Sequence, residues 1–421
     1  MNYKLLGEFD ELHLIKTNKF KTLFFKIVFT SKVKKEEITI RNLLVDNLNF
    51  SCKSYPSKRQ MNIKKQDLYG ADVYVLNKRI GNYFVTEFSL SMLNPKYTED
   101  GMLDASFDFF HDIIFNPNVE DNHFNNEVFN LSKENMKESI KSIRENPNLY
   151  INRKLKESLG DYPFSYQMDG YLEDLDSINS FSLYSYYKEF LSNNNIDIFV
   201  IGDFDEKKIL DIINSKFNFN INNKVIDDFS IDYRNTKRKI KEIEENSLFN
   251  QTKLAISCSL GRLTNKEKKY VAVLYNIILG NSPDSKFFKN IREKKSYAYT
   301  ISSGFRRADD ILIINAGISI ENTSNVITSI KKEMEDMQNG IFSDLDLEKA
   351  RSLYISVINE VYEYQSSISE YYYNLKYLSL DKYEKEIKEV NSIRKEDVIK
   401  LAKKIKIDTI YLLKEEEHGK D

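Results

Sequence analysis

The chain has 421 residues, enough for two large domains or three ordinary ones and too many for a single small module. Its 62 Lys+Arg against 64 Asp+Glu leave a formal charge of −2, spread along the chain, which excludes a field strong enough to gather nucleic acid or an anionic membrane. The 27 Phe, 27 Tyr and only 6 Pro suit a packed interior and exclude a disordered chain.

In chain order, the first sixteen residues carry Glu8, Asp10 and Glu11 where a secretory leader needs an unbroken apolar run. No stretch approaches the length of a membrane span, so a cytoplasmic protein without membrane contact is expected. Residues 20–29 read as a strand, 43–50 as a helix and 73–83 as a hairpin-like pair of strands. Long helical patterns follow at 102–114 and from 125 to 144 and beyond. Residues 176–180 precede an amphipathic helix and then the strand 196–202. The stretch 220–247 is polar and densely charged, which predicts an N-terminal domain at 1–220, a linker at 221–247 and a C-terminal domain at 248–421.

The second half repeats the plan. Residues 251–260 read as a strand, 298–316 as a hairpin, and 325–337 and 344–373 as helical patterns. Residues 390–393 then precede a helix through Leu401 and a strand at 407–413. Element type and order agree between the halves, so a duplicated architecture is expected. The class is α+β, with two homologous domains, each a mostly antiparallel sheet packed with helices.

Several chemistries are excluded. No glycine-rich phosphate loop is present, and the 13 Gly are scattered. Of the four histidines, His111 and His123 are the nearest pair, with Pro117 between them, too far apart for the two-histidine face of a zinc helix; His418 sits in a charged tail. Cys52 and Cys258 are far apart and read as reduced, partly buried thiols, making neither a disulfide framework nor a zinc knuckle. The basic stretch 53–65 around Tyr55 reads as a solvated loop leading to a helix. The tyrosines Tyr362, Tyr364, Tyr371, Tyr372, Tyr373 and Tyr377 read as packing residues, or as the lining of a peptide-holding cavity.

The most specific segment is 278–305, in which a glycine turn leads into a helix bearing Arg292, with Tyr299 seven positions later on the next strand. It resembles the second-domain signature of the insulinase/pitrilysin zinc metallopeptidases, and Arg292 and Tyr299 match that motif residue by residue. Residues 43–50, Tyr55 with Pro56, and 68–71 resemble the family's first helix and its approach to the following strand. The resemblance covers nearly the whole chain and implies the family's duplicated, LuxS/metallohydrolase-like fold. The first-domain signature departs from the family. Where those peptidases carry H-x-x-E-H, this chain has Leu43, Asp46 and Asn47. The family's further zinc-binding glutamate falls near Glu138 or Ser139.

A lost zinc motif beside a kept Arg/Tyr pair is similar to the non-catalytic subunits of heterodimeric bacterial enzymes of this family. The resemblance implies a chain that holds no metal or cofactor itself, pairs with a zinc-bearing homologous subunit, and presents Arg292 and Tyr299 to short or unfolded peptides, with no nucleic-acid or membrane partner. The alternative is a peptide- or protein-binding scaffold or regulator, to which the resemblance adds a link with elongation factor P modification that no residue here carries.

Overall fold

A computed structural model describes residues 1–7, 11–217, 219, 226, 228–231 and 239–415. The first half runs β1 (Asn2–Leu6), β2 (Leu12–Lys16), β3 (Thr22–Lys32), α1 (Ile38–Phe50), α2 (Lys58–Asp67), β4 (Asp72–Ile80), β5 (Tyr83–Leu93), α3 (Met102–Phe115) and a minimal hairpin of β6 (Val119–Glu120) and β7 (His123–Phe124). It continues through α4 (Asn126–Ser142), α5 (Pro147–Glu157), α6 (Leu172–Leu175), α7 (Ser180–Asn193), β8 (Asn195–Gly202) and α8 (Glu206–Lys216). The second half runs β9 (Lys241–Ser247), β10 (Thr252–Ser259), α9 (Ala272–Leu279), β11 (Ala298–Arg306), β12 (Ile311–Ile318), α10 (Thr323–Gln338), α11 (Asp344–Glu360), α12 (Gln365–Tyr377), α13 (Tyr383–Ser392), α14 (Lys395–Ala402) and β13 (Lys406–Glu415).

The duplication is explicit in the strand order. One sheet is ordered β1-β2-β8-β3-β5-β4 and the other β11-β12-β10-β13-β9. Read from the opposite edge, the second is β9-β13-β10-β12-β11, which matches β2-β8-β3-β5-β4 strand for strand; β1 is the addition in the first sheet. Each sheet is antiparallel except at one pair, β2 with β8 and β9 with β13. The α+β class with two mostly antiparallel, helix-packed sheets is therefore what the chain forms. β3 and β10 are central, and their residues are buried on both faces, as strands flanked on both sides require.

Contacts divide the chain into two compact units, Met1–Ser142 with Gln167–Asp227 and Tyr364–Tyr372, and Ile143–Tyr166 with Asp228–Glu363 and Tyr373–Asp421. In the first unit, Phe25, Ile27 and Phe29 of β3 pack with Leu43, Leu44 and Leu48 of α1 and Phe107 and Phe110 of α3. The other face of the sheet is met by residues from 364–372: the Gln365 amide donates to the carbonyls of Ile201 (2.7 Å) and Thr22 (3.0 Å). In the second unit, Leu254, Ile256 and Cys258 of β10 face α9, α10 and α11, while α5 covers the opposite face with Ile151 and Leu155 against Ala255, Ile313 and Leu413.

The helical pattern at 344–373 resolves into two helices. α11 buries Leu347, Ala350, Tyr354 and Ile358 in the second unit, whereas Ile368 and Ser369 of α12 are buried in the first, and a 3-10 turn at Val361–Glu363 separates the two helices. Of the expected linker, residues 221–225, 227 and 232–238 lie outside the described residues, and Lys241–Ser247 forms the edge strand β9.

Candidate functional site

Helix α1 carries Leu43, Asp46 and Asn47. Positions 43 and 47 lie four apart, so their side chains share one face, and that face is turned into the core: Leu43 is fully buried and Asn47 nearly so. The Asn47 amide donates 2.8 Å to the Leu43 carbonyl of its own helix, and its Oδ1 has no hydrogen-bond partner among the described residues. Asp46 is half-buried, and burial pushes its carboxyl up to about 6. Leucine supplies no donor, and the amide nitrogen is committed to the helix. The remaining oxygens are one neutral amide oxygen and a carboxyl whose surroundings favour the protonated form. This donor set does not fit zinc, which takes deprotonated nitrogen, sulfur or carboxylate ligands.

Glu138 does not reach α1. Helix α4 turns Val128, Phe129, Ser132, Met136 and Ile140 inward, which leaves Glu138 exposed and paired with Lys141 at 2.8 Å. The histidines are equally separate. His13 is buried on β2 between Tyr3 (2.9 Å) and Asp197 (3.2 Å), with its ring 4.1 Å from that of Phe199. His111 lies against Phe115 on α3, and exposed His123 meets the Asp121 carbonyl at 2.8 Å. His418 lies outside the described residues. Among the described residues no three His, Cys, Asp or Glu side chains gather as a metal site. Both cysteines are buried.

Arg292 and Tyr299 sit at the two ends of one turn. Arg292 ends a wide, π-type helical segment, Phe288–Glu293, anchored by buried Ile291; its guanidinium carbon lies 4.8 Å from the Phe288 ring and its side chain is exposed. The Ser296 and Tyr297 amides donate back to the carbonyls of Arg292 and Ile291, both at 3.1 Å, and Ser296 takes a left-handed conformation that turns the chain into β11. There the register slips: Ala298 pairs with Ile318 and Thr300 with Gly317, so Tyr299 is the extra residue of a β-bulge. A bulge re-aims its side chain away from the pleat. Tyr299 is 61% exposed on an edge strand of alternating burial, followed by exposed Thr300. The structure thus presents both residues of the motif to solvent from one turn.

The bulge also gathers residues that the motif does not include. The Gly317 amide donates 3.1 Å to Thr300 Oγ1, and a side chain at Gly317 would collide with Thr300, Gln251 and Lys253. Lys253 is almost fully buried, and desolvation holds its ammonium below the ordinary lysine range. Nothing in the strand pattern at 251–260 marked Lys253. The one available signal was a lysine as the single charged residue of a buried central strand.

The chain is similar to M16 peptidases, the insulinase/pitrilysin group, and to a relative described as a probable inactive metalloprotease. Residues 177–354, which include Arg292 and Tyr299, match the family described as the peptidase M16 inactive domain. The chain is 26% identical over 407 residues to the probable inactive metalloprotease YmfF of Bacillus subtilis (strain 168), covering 96% of this chain and 95% of that protein. It is 23% identical over 249 residues, 58% of each chain, to the uncharacterized zinc protease YmxG of the same organism. Among solved structures, a conserved protein from Enterococcus faecalis V583 superposes with a TM-score of 0.88 at 25% identity over 97% of both chains. No described helix is long and apolar enough to cross a membrane.

Proposed function

We propose that this chain is the non-catalytic, substrate-binding subunit of a heterodimeric, cytoplasmic zinc peptidase that processes short or unfolded peptides. Its homologous domains are 1–220 and 248–421, joined by 221–247, and the zinc belongs to the partner, a homologous subunit with an intact ligand set. The observation that carries this reading is the contrast between α1, whose motif positions are packed away with no metal-binding chemistry, and the turn at 292–299, which mounts Arg292 and Tyr299 outward on a bulge. A phenol beside a guanidinium offers hydrogen-bond donors to the carbonyl oxygens of an extended peptide. The Tyr299 hydroxyl would donate where negative charge grows on the scissile carbonyl, and Arg292 would hold a neighbouring carbonyl. Similarity to a zinc protease over part of the chain supports a peptidase context.

The test is to mix the chain with the zinc-bearing homologues of its own cell. One-to-one assembly by light scattering, and peptide cleavage by the mixture but not by this chain alone, is the expected result. In that complex Tyr299→Phe should lower kcat by about 10²- to 10³-fold, the usual cost of one oxyanion donor. Arg292→Ala should act mainly on KM. Failure to assemble with any such homologue would favour a peptide-binding scaffold, and unchanged kinetics in both variants would remove Arg292 and Tyr299 from the site.

A further inference from the structure

At the end of the second sheet away from Tyr299, four chain segments enclose a cleft of about 680 Å³. β10 ends there at Ser259, which pairs with Lys406, the first residue of β13, and with Ile311. The other end of β10 pairs Thr252 with Ile318, itself the partner of Ala298 beside Tyr299. Helix α10 supplies Lys331 and Met334, one turn apart on the face that borders the cleft. The link from α14 into β13 supplies Lys403, Lys404 and Lys406, and Lys239 stands two residues before β9. Met334 and Ile405, both buried, give the cleft an apolar floor.

The charge of this lining is one-sided. Its five lysines stand against one carboxylate, Asp408, which is buried and close enough to Cys258 to help burial raise that thiol. Lys404 is satisfied within the fold, donating to Glu267 (2.6 Å) and to the Arg262 carbonyl (3.1 Å). Lys239, Lys331, Lys403 and Lys406 are exposed, and none of them makes an ion pair or hydrogen bond among the described residues. By contrast Lys332, the neighbour of Lys331 on α10, pairs with Asp336 at 2.9 Å. Ammonium groups converging on one cleft repel each other, and an anion that enters it removes that cost.

The number of these cations selects the ligand. A di- or triphosphate chain carries roughly three or four negative charges in a compact body, and a cleft of this size admits a nucleotide as well as the bare chain. An acidic peptide spreads its charges about 3.3 Å apart along an extended strand, on alternating sides. Lysine binds phosphate as a point charge, and the lining holds no arginine, whose planar fork is the better match for a carboxylate. The chain has no glycine-rich phosphate loop, so recognition here is by side chains alone. We propose that Lys239, Lys331, Lys403 and Lys406 form a binding site for a small ligand bearing two or more linked phosphates. The site does not rest on the function proposed above.

Isothermal titration calorimetry on the full chain in magnesium-free buffer tests this, with triphosphate, ATP, adenosine and inorganic phosphate as ligands. Triphosphate and ATP should bind saturably, one per chain and at least tenfold tighter than inorganic phosphate or adenosine. Tighter binding of ATP than of triphosphate identifies a nucleotide; equal or weaker binding identifies the phosphate chain as the recognised group. The double variant Lys331→Gln/Lys406→Gln removes two exposed charges and should weaken both ligands at least tenfold. Lys53→Gln, which removes an exposed lysine of the first unit, should leave them unchanged. Absence of saturable binding, no preference over inorganic phosphate or adenosine, or full affinity in the double variant overturns the site. So does an equal loss in Lys53→Gln, or tighter binding of a hexaglutamate peptide than of triphosphate.

Discussion

The two sheets repeat one strand order, yet the lysines on their matching central strands have opposite surroundings. Lys26 of β3 is buried between Glu87 (2.9 Å) and Glu370 (2.8 Å), with the Ser369 hydroxyl at 3.3 Å and Lys78 closing the far side against Glu87 at 2.5 Å. Burial alone would pull its ammonium down, but the two carboxylates outweigh it and hold Lys26 charged. Glu370 is likewise pushed up by burial, and Lys26 and Lys78 more than reverse this. Lys253 of β10 has no such company, and its ammonium is pulled down by burial unopposed. A duplicated scaffold has thus surrounded one lysine with carboxylates and left the other without one among the described residues. The first arrangement ties the charge to the stability of the fold; the second leaves the charge a cost to it.

The largest effect expected from this contrast is at Lys26. Lys26→Met would leave Glu87 and Glu370 to share Lys78 alone, and breaking a buried pair by removing one partner costs about 3–5 kcal/mol. Urea denaturation should show that loss. A change below about 1 kcal/mol would mean that Lys78 alone satisfies both carboxylates, and the contrast between the sheets would lose its first half.

Much of this architecture was legible in the sequence, for identifiable reasons. Strands 20–29, 196–202, 251–260 and 407–413 fall on β3, β8, β10 and β13 because buried central strands are written as apolar runs, and the hairpins at 73–83 and 298–316 fall on β4–β5 and β11–β12. β9 was hidden, since an edge strand of alternating exposure reads as charged linker in Glu242, Glu244 and Glu245. The placement of 143–166 and 364–372 with the opposite halves was hidden as well: helical periodicity tells which face is apolar, never which sheet it will meet. At the site, Arg292 and Tyr299 could be named only through resemblance, because an exposed arginine and tyrosine carry no local signature. The bulge that aims Tyr299, and the meeting of Gln251, Lys253 and Thr300 over Gly317, depend on strand register between residues far apart in the chain. Leu43 and Asn47 were readable as residues that do not ligate zinc, but their burial in the core was not.

That burial supplies the next test, at the one titratable group of the former motif. The Asp46 carboxyl rises from an ordinary 3.8 to about 6 in the folded chain, so between these values the folded state binds more protons than the unfolded state. Stability attributable to Asp46 is therefore present below about pH 4, falls as pH rises toward 6, and remains lost at neutral pH. Asp46→Asn keeps the shape without the charge and should raise stability at pH 7 by about 1–3 kcal/mol, with little effect at pH 4. A thermal-melt series across pH 4–7 that runs parallel for both proteins would show that Asp46 stays solvated, weakening the picture of α1 as a packed structural helix.

The smallest effect returns to the second lysine. With no carboxylate beside it among the described residues, the Lys253 charge adds nothing to the fold, and Lys253→Met should be neutral or stabilising by up to about 1 kcal/mol at pH 7. The sign follows from linkage. With its folded pKa depressed, Lys253 binds fewer protons in the native state than in the unfolded chain, so its penalty is greatest at low pH and fades as pH rises through the folded value toward that of free lysine. Lys253→Met should therefore gain least over wild type at the alkaline end of a melt series. The opposite result, a loss of 3 kcal/mol or more like that expected at Lys26, would place Lys253 in the structural class, because a lysine whose removal unfolds the sheet already has its partner within the fold. Stability then separates the two lysines: removing one costs the fold several kcal/mol, and removing the other costs it nothing.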